Sequence, residues 1–290
     1  TDATAIAFSI SVKGLSGGHS GADIHLGKGN ANKIMNRILY TLNNEFGIGI
    51  SSIDGGSLRN AIPRESVATI VVATENTAKM QSVFAELATN IKAENSLTDA
   101  QLVIEISETT LPESLINKEF QNKLLSAIYA CPNGIYRMSP AIQGLVQSSN
   151  NLARILVKEG AFTIQCLTRS SVDSEKTDLA SAITAAFEMM GGASVSYGGS
   201  YPGWEPRPDA PIIKLMSGLY EELFGESAHV NAIHAGLECG ILGANYPGMQ
   251  MISFGPNIYG AHSPDERAQI SSVQKFWKYF TETLKRIPKA

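Results

Sequence analysis

Residues 5–13, AIAFSISVK, alternate apolar and polar side chains with period two, the pattern of a strand with one face in a core. After a glycine-rich interval, ANKIMNRILYTL sets Ile34, Ile38 and Leu42 at four-residue steps, which predicts a helix capped by Asn30 or Asn32. ISSIDGGSLRNAIPRESVATIVVATE predicts two strands joined by a turn at 62–65. NTAKMQSVFAELATNIKAE gathers Met80, Val83, Phe84, Leu87 and Ile91 on one helical side, and QLVIEISET returns to a strand. The predicted order is βαββαβ.

The next stretch nearly repeats it. NKEFQNKLLSAIYACPNG predicts a helix with a proline and glycine stop, and GLVQSSNNLARILVKEGAFTIQCLTRSS a hairpin turning at 158–160. SEKTDLASAITAAFEMMGG predicts a helix from a Ser174 cap to Gly191 or Gly192, and SVSYGG a last strand. With strand 102–107 shared between the halves, residues 1–198 are expected to form a doubled ferredoxin-like α+β sandwich, a sheet backed by helices, with halves at about 1–108 and 109–198. GGSYPGWEPRPDAP (198–211) carries four prolines and three glycines and marks a domain junction. Beyond it the pattern predicts helix 212–224, strand 230–233, helix 236–242, strand 249–254, loop 255–267 and helix 271–286. That is an incomplete α/β segment, with too few elements to cover both faces of a parallel sheet.

Charge and composition narrow the function classes. A net charge of −4 and the absence of a lysine/arginine run give no footprint for nucleic acid. No apolar stretch approaches the length of a bilayer span, and the N-terminus has no signal pattern. It also lacks an initiator Met and begins almost directly in a strand, so the chain reads as a segment of something longer. The three cysteines, Cys131, Cys166 and Cys239, show no CxxC spacing and read as reduced thiols of a cytoplasmic protein.

Five histidines are few enough to weigh singly. His229 follows a helix and His25 sits in a loop; both read as local residues. His262, in SFGPNIYGAHSPDERAQI, follows a strand end, where α/β sheets bind ligands. It reads as a metal ligand with carboxylates nearby, or as part of a loop whose acids favour the last helix; spacing leaves both open. In NAIHAGLECG, His234 and Glu238 alone would leave a metal under-coordinated, while Gly236 exposes backbone N–H groups suited to a carboxylate. His19 is flanked by Gly17, Gly18 and Gly21, so its ring can approach a ligand closely. Asn60 and Arg169 lie near strand ends, and the arginine offers a fork matched to a carboxylate. For each of these three, structural and functional readings both stand on spacing alone. A GxSxG elbow, P-loop, dinucleotide fingerprint and HExxH motif are all absent.

Six stretches taken together, KGLSGGHSGADIHLGKGNANK, GGSLRNAIPRE, TRSSVDS, GSYPGWEP, IHAGLECGIL and SFGPNIYGAHSPDE, resemble the aminoacyl-histidine (Xaa-His) dipeptidases of bacteria. These are co-catalytic zinc metallopeptidases grouped with carnosinases and aminoacylases, and the resemblance runs in order along essentially the whole chain. It implies that 1–198 is a lid and dimerisation domain and 199–290 the C-terminal segment of a catalytic domain. It further implies a dipeptide substrate, a homodimer formed through the lid, and two zinc ions in the complete enzyme. His262 is implied to bind metal, His19 to polarise the scissile carbonyl and stabilise the oxyanion, Asn60 and Arg169 to bind the substrate's C-terminal side, and the Gly236 backbone to help hold the carboxylate. The family's remaining metal ligands are not in this sequence, so the chain alone is expected to be inactive. Two other readings are a non-catalytic dimerisation or binding module and an amidohydrolase of N-acyl amino acids.

Overall fold

The computed structural model describes residues 4–232, 238–259 and 266–287. These divide into two compact units, one running to Ser200 and the other from Tyr201.

The first unit opens with β1 (Ala5–Lys13), a short β2 (Gly18–His19) and α1 (Ala31–Phe46). Of the two candidate caps for α1, Asn30 serves: its side chain accepts the Asn32 and Lys33 amides, while Gly47 closes the helix at φ 63°. There follow β3 (Gly49–Gly56), β4 (Ala61–Ile62), β5 (Ser66–Ala73), α2 (Thr77–Glu94) and β6 (Val103–Thr109). The long strands lie in the order β6-β1-β5-β3 with every neighbour antiparallel, the expected ferredoxin-like arrangement.

The second half supplies α3 (Lys118–Ala130), β7 (Gly134–Met138), β8 (Val146–Lys158), β9 (Ala161–Ser170) and α4 (Asp173–Glu188). The β8–β9 hairpin turns where the sequence places it, with Glu159 at φ 52° and Gly160 at φ 76°. Three details differ from expectation. β7 is an additional strand. Residues 194–199, SVSYGG, form none, because the Val195 and Tyr197 alternation leads to exposure, 37% and 68%, and not to burial. Finally, α4 starts at Asp173, with Val172 and not Ser174 at its cap.

β8 joins the halves, and not the strand expected at 102–107, which as β6 lies at the edge of the sheet beside β1. From Ser148 to Lys158 β8 pairs with β9, with a bulge at Ala153, and β3 (53–56 with 154–157) and β7 (134–138 with 146–150) share its other edge, end to end. The four helices pack on the sheet: α1 against β1, β3, β5 and β8, α2 against β6, and α4 against β8 and β9, with α3 between α1 and α4. Phe8, Ile10, Val12, Ile38, Leu39, Leu42, Ile50 and Ile70 are fully buried in the core between them. Each such side chain is worth about 1.5–3 kcal/mol relative to exposure. On the sheet's other face Val67 is 44% exposed.

The Lys33 ammonium reaches the end of α3, donating to the carbonyls of Ile128, Tyr129 and Cys131 at 2.9 Å each. Burial holds its pKa below the ordinary lysine value, against the pull of the Cys131 and Cys166 thiols. A cation among a helix's last carbonyls satisfies acceptors that the helix cannot. Lys33→Met is therefore expected to lower the free energy of unfolding by about 2 kcal/mol, read by urea denaturation.

The second unit contains α5 (Pro211–Phe224), α6 (Glu238–Asn245), β10 (Ile258–Tyr259), β11 (Arg267–Ala268) and α7 (Ile270–Arg286). Met216, Leu219 and Tyr279 form its core, with the Tyr279 hydroxyl donating to the Met216 carbonyl at 2.7 Å. The expected strand at 249–254 is not one. Among the described residues no neighbour pairs with it, and a strand exists only through its ladder. A two-stranded ribbon, β10–β11, lies across the predicted loop. The expected strand 230–233 and the start of helix 236–242 lie partly outside the described residues. No helix among the described residues is long and apolar enough to cross a membrane.

Candidate active site

The glycine loop delivers His19 to the sheet. Gly18 has φ 151°, and a Cβ there would strike the Asp23 carboxylate, so this backbone excludes a side chain. β2 pairs with β4, Gly18 opposite Ile62 and His19 opposite Ala61, and the Ser20 amide donates to the Asn60 carbonyl at 2.8 Å. Residues 19–23 then fold around the histidine. The Asp23 amide donates to the His19 carbonyl at 2.9 Å, and an Asp23 carboxylate oxygen accepts the His19 amide at 2.9 Å.

The ring itself is fixed through Nδ1, which accepts the amides of Gly21 (3.2 Å) and Ala22 (3.0 Å). A nitrogen accepting two N–H groups carries no proton of its own. The neutral imidazole thus bears its hydrogen on Nε2 and presents that atom as a donor.

Arg169, on β9, sits opposite Ser149 of β8. A Cβ added at Gly21 would meet Arg169 Nε and His19 Cε1 at 3.2 Å each, so this glycine lies between guanidinium and imidazole. Asn60 is exposed on the turn that backs them. The structure therefore brings His19, Asn60 and Arg169 into one neighbourhood. His262, Gly236 and His234 lie outside the described residues. His25, in a short 3-10 turn, and His229 are exposed and take no part in this cluster.

Beneath the cluster, β8 is buried without interruption from Val146 to Ala153, although five consecutive residues there are polar. Each finds partners, as buried polar groups must. Ser148 Oγ lies 2.7 Å from Ser170 Oγ and 2.8 Å from Glu175, Gln147 donates to Glu175 at 2.9 Å, and Asn150 donates to the Pro132 carbonyl at 2.7 Å. The Asn151 amide donates to the carbonyls of Arg59 (3.0 Å) and Ala61 (2.8 Å), on either side of Asn60. The sequence reading passed over Asn151 and Asp23. The available signals were the polar run QSSNN inside an otherwise apolar strand and an aspartate four residues after His19.

Among the described residues, no group of three or more His, Cys, Asp or Glu side chains could hold a metal ion. What the cluster offers is an N–H donor and a planar cation on one surface, a match for an oxygen gaining charge beside a carboxylate.

Residues 10–99 match the peptidase dimerisation domain, a span that holds His19 and Asn60. Over 281 residues the chain is 37% identical to the cytosol non-specific dipeptidase of Escherichia coli (strain K12), covering 97% of this chain and 58% of that protein. The crystal structure of the aminoacylhistidine dipeptidase from Vibrio alginolyticus superimposes on all of it with a TM-score of 0.92 and 38% identity, covering 59% of that chain. The chain thus spans less than two thirds of the length of these relatives. Residues 10–99 are similar to a peptidase dimerisation domain, and nearly the whole chain is similar to part of these two dipeptidases.

Proposed function

We propose that the protein is a metal-dependent dipeptidase hydrolysing unblocked dipeptides of the Xaa-His type. Residues 1–198 serve as its lid and dimerisation domain, and 199–290 as the C-terminal segment of its catalytic domain. The observation that carries this reading is the meeting of His19 and Arg169 at Gly21, with the Asn60 carbonyl bonded to the neighbouring Ser20 amide, in a chain 38% identical to an aminoacylhistidine dipeptidase. The His19 Nε2–H donates to the scissile carbonyl oxygen and strengthens that bond as the oxygen becomes anionic. Arg169 grips the substrate's terminal carboxylate, aided by Asn60 and by the Gly236 backbone.

Zinc belongs to the proposal, with His262 as this chain's ligand; a bound ion would supply Lewis acidity and an activated water. The described residues do not by themselves compose such a site, so no step is derived through it. A homodimer formed through the lid accords with the dimerisation domain at 10–99, and a cytoplasmic location with the cytosol enzyme named among the relatives. In the same reading the 290 residues alone carry too few metal ligands to turn over.

The test is release of free histidine from Gly-His and β-Ala-His by the full-length enzyme with added zinc, set against release from N-acetylhistidine. The dipeptides are expected to be preferred by about 10⁴-fold or more in kcat/KM, the scale on which a site built for polar groups rejects a substrate lacking them. The reverse preference would indicate an amidohydrolase of N-acyl amino acids. Absence of turnover on every substrate would leave a binding or dimerisation module. Turnover by the 290 residues alone would contradict their proposed silence.

A further inference from the structure

The site has two mountings of different stiffness. Arg169 stands on β9, one pair from the end of a ten-pair antiparallel ladder with β8. His19 stands on β2, a two-residue strand whose only ladder among the described residues is with the equally short β4. Two residue pairs do not make a rigid platform, so something else must fix the ribbon's height above the sheet.

We propose that Asn151 is the positioning residue that does so, a strut between the sheet and the turn carrying Asn60, and through it His19. Asn151 is fully buried on β8, opposite Leu167, two positions along from the Ser149–Arg169 pair. The register is unshifted between these pairs, so Asn151 and Arg169 share one face of the sheet. From that face its one amide nitrogen donates to the carbonyls of both Arg59 and Ala61. Ala61 is the residue paired with His19, and the Asn60 carbonyl between the two acceptors receives the Ser20 amide. Two unbroken routes therefore run from one carboxamide to the imidazole.

The chemistry of the group supports a positioning role over simple packing. Two carbonyl acceptors fix which end of the amide faces them, since only the NH2 can donate. This turns Oδ1 away, and that buried oxygen has no hydrogen-bond partner among the described residues. A strand residue selected for packing would be apolar, like Leu152 beside it. Here a buried polar atom is tolerated in exchange for two directional bonds to the turn, beside the Ile62–Val146 packing that also joins β4 to β8.

This inference rests on the reading of His19 as an acting group, but its test does not need turnover. In the whole 290-residue chain, amide hydrogen exchange and imidazole 15N spectra are recorded for wild type, Asn151→Leu and Asn151→Ser. Serine is small enough to enter the strand without overpacking yet too short to span both carbonyls. Loss of the strut is expected to speed exchange of the Ser20 amide by about 10-fold or more, while amides of Ile10 and Ile70 in the core strands keep their protection. His19 is expected to change from a single Nε2–H species to a mixture of tautomers. Should Asn151→Leu fail to fold, with Ile10 and Ile70 deprotected, Asn151→Ser decides. Unchanged Ser20 exchange and an unchanged His19 spectrum in a folded variant would overturn the proposal. In the full-length enzyme the same variants are expected to lower kcat by about 10-fold with KM within about 2-fold, because the imidazole is misplaced and Arg169 is not. If no dipeptide is hydrolysed while the spectra change as expected, the proposed function fails and the strut stands.

Discussion

Replacing His19 by alanine in the full-length enzyme is expected to lower kcat by about 10²–10³-fold, with KM and metal content close to wild type. The magnitude is that of removing one donor from an oxyanion site, about 2.7–4 kcal/mol of transition-state stabilisation. The direction follows from how the ring is held. Amides of Gly21 and Ala22 occupy Nδ1, so the ring's proton is on Nε2 and the group is a donor whose partner gains charge during the reaction. A contact of that kind is strongest at the transition state, which places the loss in kcat. In the proposed reading the carboxylate grip belongs to Arg169, mounted separately on β9, so removing the imidazole leaves that grip in place. Steady-state kinetics with metal analysis of the same preparation checks this. Loss of zinc from the variant would make His19 a ligand, and an unchanged kcat would remove it from catalysis.

Gly56→Ala is expected to be the most damaging single-atom change to the fold, lowering the free energy of unfolding by about 3–5 kcal/mol. Gly56 has φ 71°, a conformation costing an L residue on the order of 1–3 kcal/mol. An added Cβ would also collide with the Ala153 carbonyl, whose carbon lies 3.0 Å away, at a bulge of β8 whose neighbours Leu152 and Arg154 are both paired with β9. Backbone held on both sides in this way cannot swing aside as a flexible side chain can. The position is the last pair of the seam joining the halves of the sheet, Gly56 opposite Arg154, and the Arg154 guanidinium donates to the Gly56 carbonyl at 2.9 Å. Gly47→Ala separates the two contributions: it has φ 63° and nothing within 4 Å of an added Cβ, so it carries the backbone strain alone. Denaturation of both variants should show Gly56→Ala the weaker by about 2 kcal/mol or more. Equal effects would mean that β8 yields and the seam is not rigid.

Much of the fold could be read from periodicity because its signals are local. The alternation of 5–13 and the four-residue steps of Ile34, Ile38 and Leu42 each report one face in a core, and all three helical positions lie on the sheet side. Periodicity failed where apolar spacing and burial part company. Val195 and Tyr197 alternate yet are exposed, and 249–254 is apolar yet has no neighbour to pair with among the described residues. The polar run at 147–151 gives the opposite case, a buried strand whose side chains find hydrogen-bond partners up to 92 positions away. No local pattern encodes such partners. The site divides in the same way. Glycines around His19 signalled a close approach, whereas its convergence with Arg169 depends on the β8–β9 register, and the tautomer of the ring depends on two amides that spacing does not reveal.

The central claim is that the surface built by β2, β4 and β9 reads a dipeptide through its carbonyl and its terminal carboxylate. The direct measurement is kcat/KM of wild type and Arg169→Ala on Gly-His and on Gly-His amide, the same peptide without the terminal charge. Wild type is predicted to favour the free acid by about 100-fold, the worth of a charge-assisted bidentate contact, and Arg169→Ala to lose most of that preference through KM while treating the amide as wild type does. An Arg169→Ala enzyme that still discriminates acid from amide as wild type does would contradict it.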